Sequence, residues 1–443
     1  MRRFLHICCA LAGLAAVVAP RTVGAQSVVT LDAACSSADR AHEKIRAAQA
    51  DEDAAAVAPW RALSAMGPSV VDSAAFVDNK EEIAFPTSGP VQGFNPVVIA
   101  DHALRNTLTV TQPLYTHQFW ALRELGKAEV ARTEEATRAA RLDVRLAVTA
   151  AYYDLLRAQA LRDVAGESQR LANAEMANAQ TRLDLGSALK AEVVRAETEV
   201  ARAGQRVSEA TGAVETARVS LARLADLEEG FVVAEPPRRS LEGVTVEELR
   251  NLARANSPDL QQAKAAMKAN DAEERRRVAA LYPTVGLRWN YFQTDHETFA
   301  ERNNFWSLQL GVEIPLIDLG GARYLDVAEQ RAKVRSTAAT VAGFERDLMV
   351  NVEKAFVMAR TLSAQEQSAT KEAELAGETY RLLSEQYRAG SSTSLDVLSA
   401  LNVRAAAQSN RASLHYAFAV SLAQLDRLTG VTQPAAPASG RSH

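Results

Sequence analysis

Histidine, cysteine and carboxylate side chains are the groups in this sequence that could carry catalysis or hold a metal, and their spacing supports neither. Beyond the N-terminal leader the histidines are His42, His102, His117, His296, His415 and His443. They are scattered, and no two stand at the helical spacing that places a pair of metal ligands on one face. No cysteine cluster joins them, no Gly-x-Ser-x-Gly elbow is present, and no glycine-rich phosphate loop precedes a lysine. The chain reads as a non-enzyme with no cofactor and no metal. Two carboxylates stand out by position instead. Glu192 and Asp396 each follow a glycine, Gly186 and Gly390, by six residues. Both fall in the first turn of a new helix, where the dipole and the unpaired amides favour negative charge.

The 443-residue chain has a formal charge of −4 and a pI near 6.1, which gives no global attraction to nucleic acid. Residues 1–25 read as a signal peptide, with Arg2 and Arg3, an apolar run over 7–19, and the small residues of Val23-Gly24-Ala25. Cys8 and Cys9 fall in that leader, so Cys35 is the one cysteine of the mature chain. An exported protein without an internal disulfide must draw its stability from extended packing. No later apolar run approaches the ~20 residues that span a bilayer as a helix, so membrane contact falls to strands.

What positions the two carboxylates is a duplicated plan. Residues 107–114 resemble 309–316 at an offset of 202, and Leu185-Gly186-Ser187 matches Ala389-Gly390-Ser391 at an offset of 204. Each half runs helix, proline, strand, strand, proline, long helix, glycine turn, helix. The first repeat covers 26–227, with membrane strands at about 69–77 and 104–114, and the second covers 246–430, with strands at about 284–293 and 305–316. A linker at 228–245 holds Pro236-Pro237, and 431–443 is a flexible tail. Segments 119–185 and 322–389 lack proline and favour helix. After Gly186, Val193, Ala196, Val200, Ala203, Val207, Ala210, Val214, Ala217, Leu221 and Leu224 alternate three and four residues apart, a heptad seam.

Strand periodicity separates this chain from an ordinary coiled coil. Val285, Leu287, Trp289 and Tyr291 alternate with polar or small residues, as do Trp306, Leu308, Leu310, Val312 and Ile314. Strands of that length with aromatics on the apolar face suit a lipid-facing barrel with a wet lumen, and Trp289, Tyr291 and Trp306 are expected as membrane-interface aromatics. Four strands cannot close a barrel, because the smallest membrane barrels have about 8, so several chains must share one.

Together these features resemble the TolC-like outer-membrane efflux protein family over roughly residues 30–430. The likeness is carried by Ala255-Asn256-Ser257-Pro258-Asp259-Leu260, Tyr282-Pro283, Ile314-Pro315-Leu316-Ile317-Asp318-Leu319-Gly320-Gly321, Ala151-Tyr152-Tyr153-Asp154-Leu155-Leu156, and the run from Tyr387 through Gly390 to Leu398. The resemblance implies a mainly α fold with a membrane β part, its duplicated halves forming a trimeric α-helical tunnel plus a shared β-barrel. It implies a homotrimer in outer-membrane lipid with helices extending into the periplasm. Its role would be a passive export duct of a tripartite efflux system, coupled to an inner-membrane transporter through a periplasmic adaptor protein. By the same resemblance Gly186, Ser187, Gly390 and Ser391 mark adaptor-docking hairpin tips, and Glu192, Tyr387 and Asp396 form a periplasmic gate. Ser392 stands where a gate arginine often appears, and Leu189 and Lys190 replace the hydroxyl pair Thr393 and Ser394 of the other tip. The insertion at 78–102 is expected to face outward. A duct for type I protein secretion shares every feature, and a periplasmic coiled-coil adaptor or structural protein would share the helices.

The two strand faces are distinguishable by substitution. A lipid-facing arginine near mid-membrane costs about 2–4 kcal/mol, so Leu310→Arg is expected to reduce assembled protein in the membrane fraction while Gln309→Arg is tolerated. Equal yields of the two variants would show the faces to be misassigned.

Overall fold

The computed structural model describes residues 28–86, 89, 96–228, 230–298, 302–315 and 321–431. The expected signal peptide, the centre of the 78–102 insertion, residues 316–320 of the second strand and its proline motif, and nearly all of the tail lie outside them. In chain order the elements are β1 (Val28–Val29), α1 (Leu31–Ala41), α2 (Glu43–Ala56), α3 (Ala58–Ser64), β2 (Ser69–Asp78), β3 (Ile83–Ala84), β4 (Val97–Ile99), β5 (His102–Tyr115), α4 (Gln118–Asp184), α5 (Lys190–Ala225), β6 (Val232–Val233), α6 (Val246–Asn256), α7 (Pro258–Ala279), β7 (Thr284–Thr294), β8 (Asn304–Glu313), α8 (Ala322–Arg388) and α9 (Ser394–Thr429). Among the described residues no helix is long and apolar enough to cross a membrane.

The proline-free segments become α4 and α8, 67 residues each, which at 1.5 Å per residue is a span of about 100 Å. The returning helices α5 and α9 are 36 residues each. The offset of 204 therefore holds for whole hairpins, not only for their glycines. Helix α5 packs back along the far half of α4 and α9 along the far half of α8, while α7 lies between α4 and α8 near the strands. The heptad seam is where expected: Val193, Ala196, Ala203, Val214, Ala217 and Leu221 are buried, and Val200, Val207, Ala210 and Leu224 are half-buried. Small side chains let the backbones approach along the seam, and the bulkier buried residues, Tyr152, Tyr153, Leu155, Phe231 and Tyr416, gather in one cluster midway along the helices.

A belt midway along the helices ties the halves together. The linker is partly structured: β6 pairs in parallel with β1, Val28 opposite Val232 and Val29 opposite Val233. Tyr152 of α4 is fully buried beneath this pair, its hydroxyl 2.9 Å from the Val29 carbonyl and 2.5 Å from the Ala234 carbonyl, which share its one proton. Burial holds its phenol up at about 12, so it remains a donor throughout the physiological range. Farther along the linker, Arg238 binds the buried Glu366 at 2.7 Å, with His415 on the same carboxylate at 2.8 Å, and Arg239 pairs with Asp426 at 2.6 Å. Arg427 then joins Asp143 of α4 (2.6 Å) and Asp259 of α7 (2.8 Å) to α9.

The four long strands form one antiparallel sheet in the order β2-β5-β7-β8. Register places Val70, Val110, Trp289 and Leu308 in one row, with Leu287 opposite Leu310 and Tyr291 opposite Trp306. Leu308, Leu310 and Val312 of this apolar face are exposed. The other face is polar: Thr109 donates to Asn290 (3.0 Å), which donates to Ser307 (3.4 Å), and Asn290 is buried. That face also holds a stacked pair, Phe292 and Phe305, with centroids 4.6 Å apart, which the alternation does not anticipate. The insertion forms the small hairpin β3–β4, with the Asn79 amide on the Ala100 carbonyl at 2.8 Å.

Removing the Tyr152 hydroxyl leaves the Ala234 carbonyl without that donor. Because a buried acceptor stripped of its partner costs about 1–3 kcal/mol, Tyr152→Phe is expected to lower the thermal unfolding midpoint and loosen β6 in hydrogen exchange. An unchanged midpoint with full protection at Val232 and Val233 would show that the hydroxyl is not what fastens the belt.

Candidate functional site

The two hairpin tips are built by the same local geometry. At the end of α4, Gly186 takes φ +70°, its N–H reaches the Leu183 carbonyl at 2.9 Å, and the Ser187 N–H reaches the Arg182 carbonyl at 2.8 Å. At the end of α8, Gly390 takes φ +81°, with the same bonds from Gly390 to Tyr387 (3.0 Å) and from Ser391 to Gln386 (2.9 Å). This is the paired capping that a left-handed glycine permits, and the serine hydroxyls add a bond each, Ser187 to Arg182 and Ser391 to Gln386, both 3.1 Å. A side chain at either glycine would strain the turn without filling any space.

The helices that restart after the turns differ. Thr393 caps α9 in full: its hydroxyl accepts the Asp396 N–H at 3.2 Å, and Asp396 accepts the Thr393 N–H at 3.1 Å and its hydroxyl at 2.6 Å. These bonds, the threonine hydroxyl first, hold the exposed Asp396 carboxyl below its ordinary range. Ser392 adds a weaker bond at 3.4 Å. Leu189, the corresponding residue before α5, has no acceptor side chain, and Glu192 takes only a long 3.5 Å bond from the Leu189 N–H.

Glu192 has another partner. The Tyr387 hydroxyl donates to it at 3.1 Å, linking α8 to the start of α5. Tyr387 is 2% exposed, and burial, followed by the negative carboxylate it serves, raises its pKa. Arg182 covers the assembly, its guanidinium 4.4 Å above the Tyr387 ring and 2.5 Å from the Tyr387 carbonyl. One heptad deeper lies a second rung. Tyr380 and Ser384 donate to the buried Glu175 at 2.9 and 2.8 Å, and the Asn178 amide completes that carboxylate at 3.1 Å. Burial is the first cause of the raised Tyr380 pKa and the Glu175 charge the second. Both rungs rest on an apolar cluster of Ala172, Ala203, Val397 and Leu401.

Of the expected site residues, Tyr387 and Glu192 meet, whereas Asp396 bonds to its own turn and not to the other hairpin. Arg182, Glu175 and Tyr380 were not singled out from the sequence. Their signal was present in the stripe Ala172, Glu175, Ala179, where a carboxylate interrupts a core spacing. Of the aromatics, Trp306 is exposed, and Trp289 stacks on Tyr291 midway along β7, centroids 6.2 Å apart. Exposed rings also gather where strands give way to helices, at Trp60, Tyr115, Trp120 and Tyr282. They fall outside the alternating runs and so escape a periodicity reading. His102 and His296, far apart in sequence, come edge to face with centroids 4.7 Å apart. Among the described residues no group of three or more ligating side chains is arranged to hold a metal.

The sequence profile described as outer membrane efflux protein matches residues 36–225 and 249–431. No curated protein matches the chain in sequence. Among solved structures the chain is similar to CusC, in a study of folding and transmembrane channel formation, at 16% identity and TM-score 0.76, covering 90% of this chain and 92% of that one. It is similar to the outer membrane protein VceC of Vibrio cholerae at 18% identity and TM-score 0.73, covering 90% and 96%. It is likewise similar to the open state of the MtrE outer membrane channel of Neisseria gonorrhoeae at 17% identity and TM-score 0.73, covering 90% and 89%.

The deeper rung is the more costly to break. Tyr380→Phe withdraws a donor from a buried carboxylate, worth about 1–3 kcal/mol, whereas the half-exposed Glu192 regains water when Tyr387→Phe is made. Hydrogen exchange over 172–179 and 376–388 is expected to rise more in Tyr380→Phe than in Tyr387→Phe. The reverse order would mean that Tyr387 and not Glu175 anchors the contact.

Proposed function

We infer that this chain, which belongs to the outer membrane efflux protein family, is one protomer of a passive outer-membrane export duct. Its place is the outer membrane, with the helices reaching into the periplasm. The observation that carries the reading is the sheet: an exposed apolar face with aromatics, a polar opposite face, and two strand edges, β2 and β8, with no pairing strand among the described residues. Unpaired edges are not tolerated in lipid, and four strands cannot close. Three copies joined edge to edge give a closed barrel, and the same threefold operation sets the long hairpins side by side as a tunnel. Exposed apolar residues of α8 such as Leu325, Val357 and Leu375 support this, since a neighbouring protomer would cover them.

The periplasmic end is proposed to be closed by the hairpin tips, with the Tyr387–Glu192 bond and its Arg182 cover holding one hairpin to the next. Asp396, exposed beside the tip, would be repeated three times around the axis and form a cation site whose repulsion opening relieves. The duct has no energy source of its own. A periplasmic adaptor that binds the open tips around Gly186, Ser187, Gly390 and Ser391 more tightly would shift the population toward opening, and an inner-membrane transporter would supply the cargo.

The detergent-extracted protein is expected to have the mass of a trimer; a stable water-soluble monomer would overturn the reading. In planar bilayers Tyr387→Phe is expected to raise the open fraction, and Asp396→Asn to weaken block by divalent cations added from the periplasmic side. Wild-type conductance and block in both variants would place the gate elsewhere.

A further inference from the structure

A cleft of about 260 Å³ opens between the start of α4 and the end of α7, where the barrel strands meet the helices. Its walls are His117, Trp120, Glu124, Glu274, Arg275 and Tyr282. The His117 ring lies 4.4 Å from the Tyr282 ring, and the Tyr115 hydroxyl stands 3.4 Å from His117 Nδ1. Tyr115 sits opposite Val285 in the sheet register, on the row of the apolar face. The cleft is therefore continuous with the surface assigned to lipid and begins where that surface ends. Trp120 is 58% exposed, a large cost for an indole in water and an ordinary position for one at a membrane interface.

The polar lining has both signs. Arg275 pairs with Glu124 across the cleft, with both side chains more than half exposed. Glu274 is held from α8 by Arg331 at 3.0 Å. The cleft thus presents two carboxylates and one guanidinium, beside two accessible aromatic faces. A guanidinium suits a phosphodiester, and carboxylates with an indole face suit an ammonium group. A neutral group in place of the ammonium would leave Glu124 and Glu274 without a cationic partner and the phosphate charge unbalanced beside them.

We propose that this cleft binds the headgroup of a phospholipid carrying a phosphate and a primary ammonium, with the acyl chains lying on the adjoining apolar sheet face. Arg275 takes the phosphate, Glu124 and Glu274 take the ammonium, and Trp120 covers it. The site gives each protomer a depth marker at the inner surface of the membrane. It rests on the lipid-facing assignment of the sheet under the proposed function.

Native mass spectrometry of the full-length detergent-purified protein tests both separately, because the oligomer mass reports the duct and the bound adducts report the cleft. The probes are dioleoyl phosphatidylethanolamine, dioleoyl phosphatidylglycerol and soluble glycerophosphoethanolamine. Wild type is expected to retain the ethanolamine lipid over the glycerol lipid and to hold the soluble headgroup weakly. Trp120→Ala should reduce ethanolamine-lipid retention roughly threefold or more, the size of one exposed cation–π contact. The double variant Glu124→Gln, Glu274→Gln should abolish the preference for the ethanolamine lipid, and restoring one carboxylate, with Glu124→Gln alone, should leave a reduced preference. A trimer that holds the two lipids equally, a double variant with unchanged preference, or a soluble headgroup bound as tightly as the lipid would each overturn the proposal while leaving the duct intact.

Discussion

A strand edge facing hydrocarbon leaves its amides and carbonyls with nothing to bond, at several kcal/mol for each group. Among the described residues β2 and β8 are the two edges of the sheet, and the apolar row from Val70 to Leu308 marks its lipid-facing side. In the proposed edge-to-edge assembly those groups are satisfied by further copies of the same chain. With β8 of one copy against β2 of the next, the helices below would be set in a ring and the exposed apolar side chains of α8 covered by the same operation. Barrel and tunnel would then both follow from one unmet bonding requirement.

Within a protomer the burden falls on polar contacts, because Ala and Val seams bury little area per residue. The belt around Tyr152 and the ion pairs of Arg238, Arg239 and Arg427 sit where each long helix changes partners, from α7 near the membrane to α5 or α9 farther away. A thin helical wall is most easily sheared at such a point. Buried charges are a weak source of net stability but a strong source of register, since a slipped helix leaves each of them unpaired.

Features encoded by local chemistry were legible in the sequence. Proline-free runs mark the long helices, two glycines mark the turns, and period-two alternation is clearest in the two strands of the second half, β7 and β8. The contact between Tyr387 and Glu192 was legible only through family resemblance, because nothing local joins residues so far apart in sequence. Features made by distant segments were not visible. The β1–β6 pair consists of two short valine pairs with no periodicity. Glu175 looks like a surface residue until Tyr380 and Ser384 are brought over it. Phe292 and Phe305 break the alternation and find each other only through strand register.

The unequal starts of α5 and α9 have a mechanical meaning. Thr393 and Asp396 close one helix start with reciprocal bonds, while at the other the Leu189 N–H donates a single long bond to Glu192. A proper cap is worth about 1 kcal/mol, so one tip of each protomer is stiff and the other compliant. Glu192 serves two masters, its own helix start and Tyr387. The same carboxylate thus couples the looser helix start to a contact with the neighbouring hairpin, whereas the capped start of α9 stands by itself. In the proposed threefold assembly such tips would alternate around the axis, three fixed and three sprung.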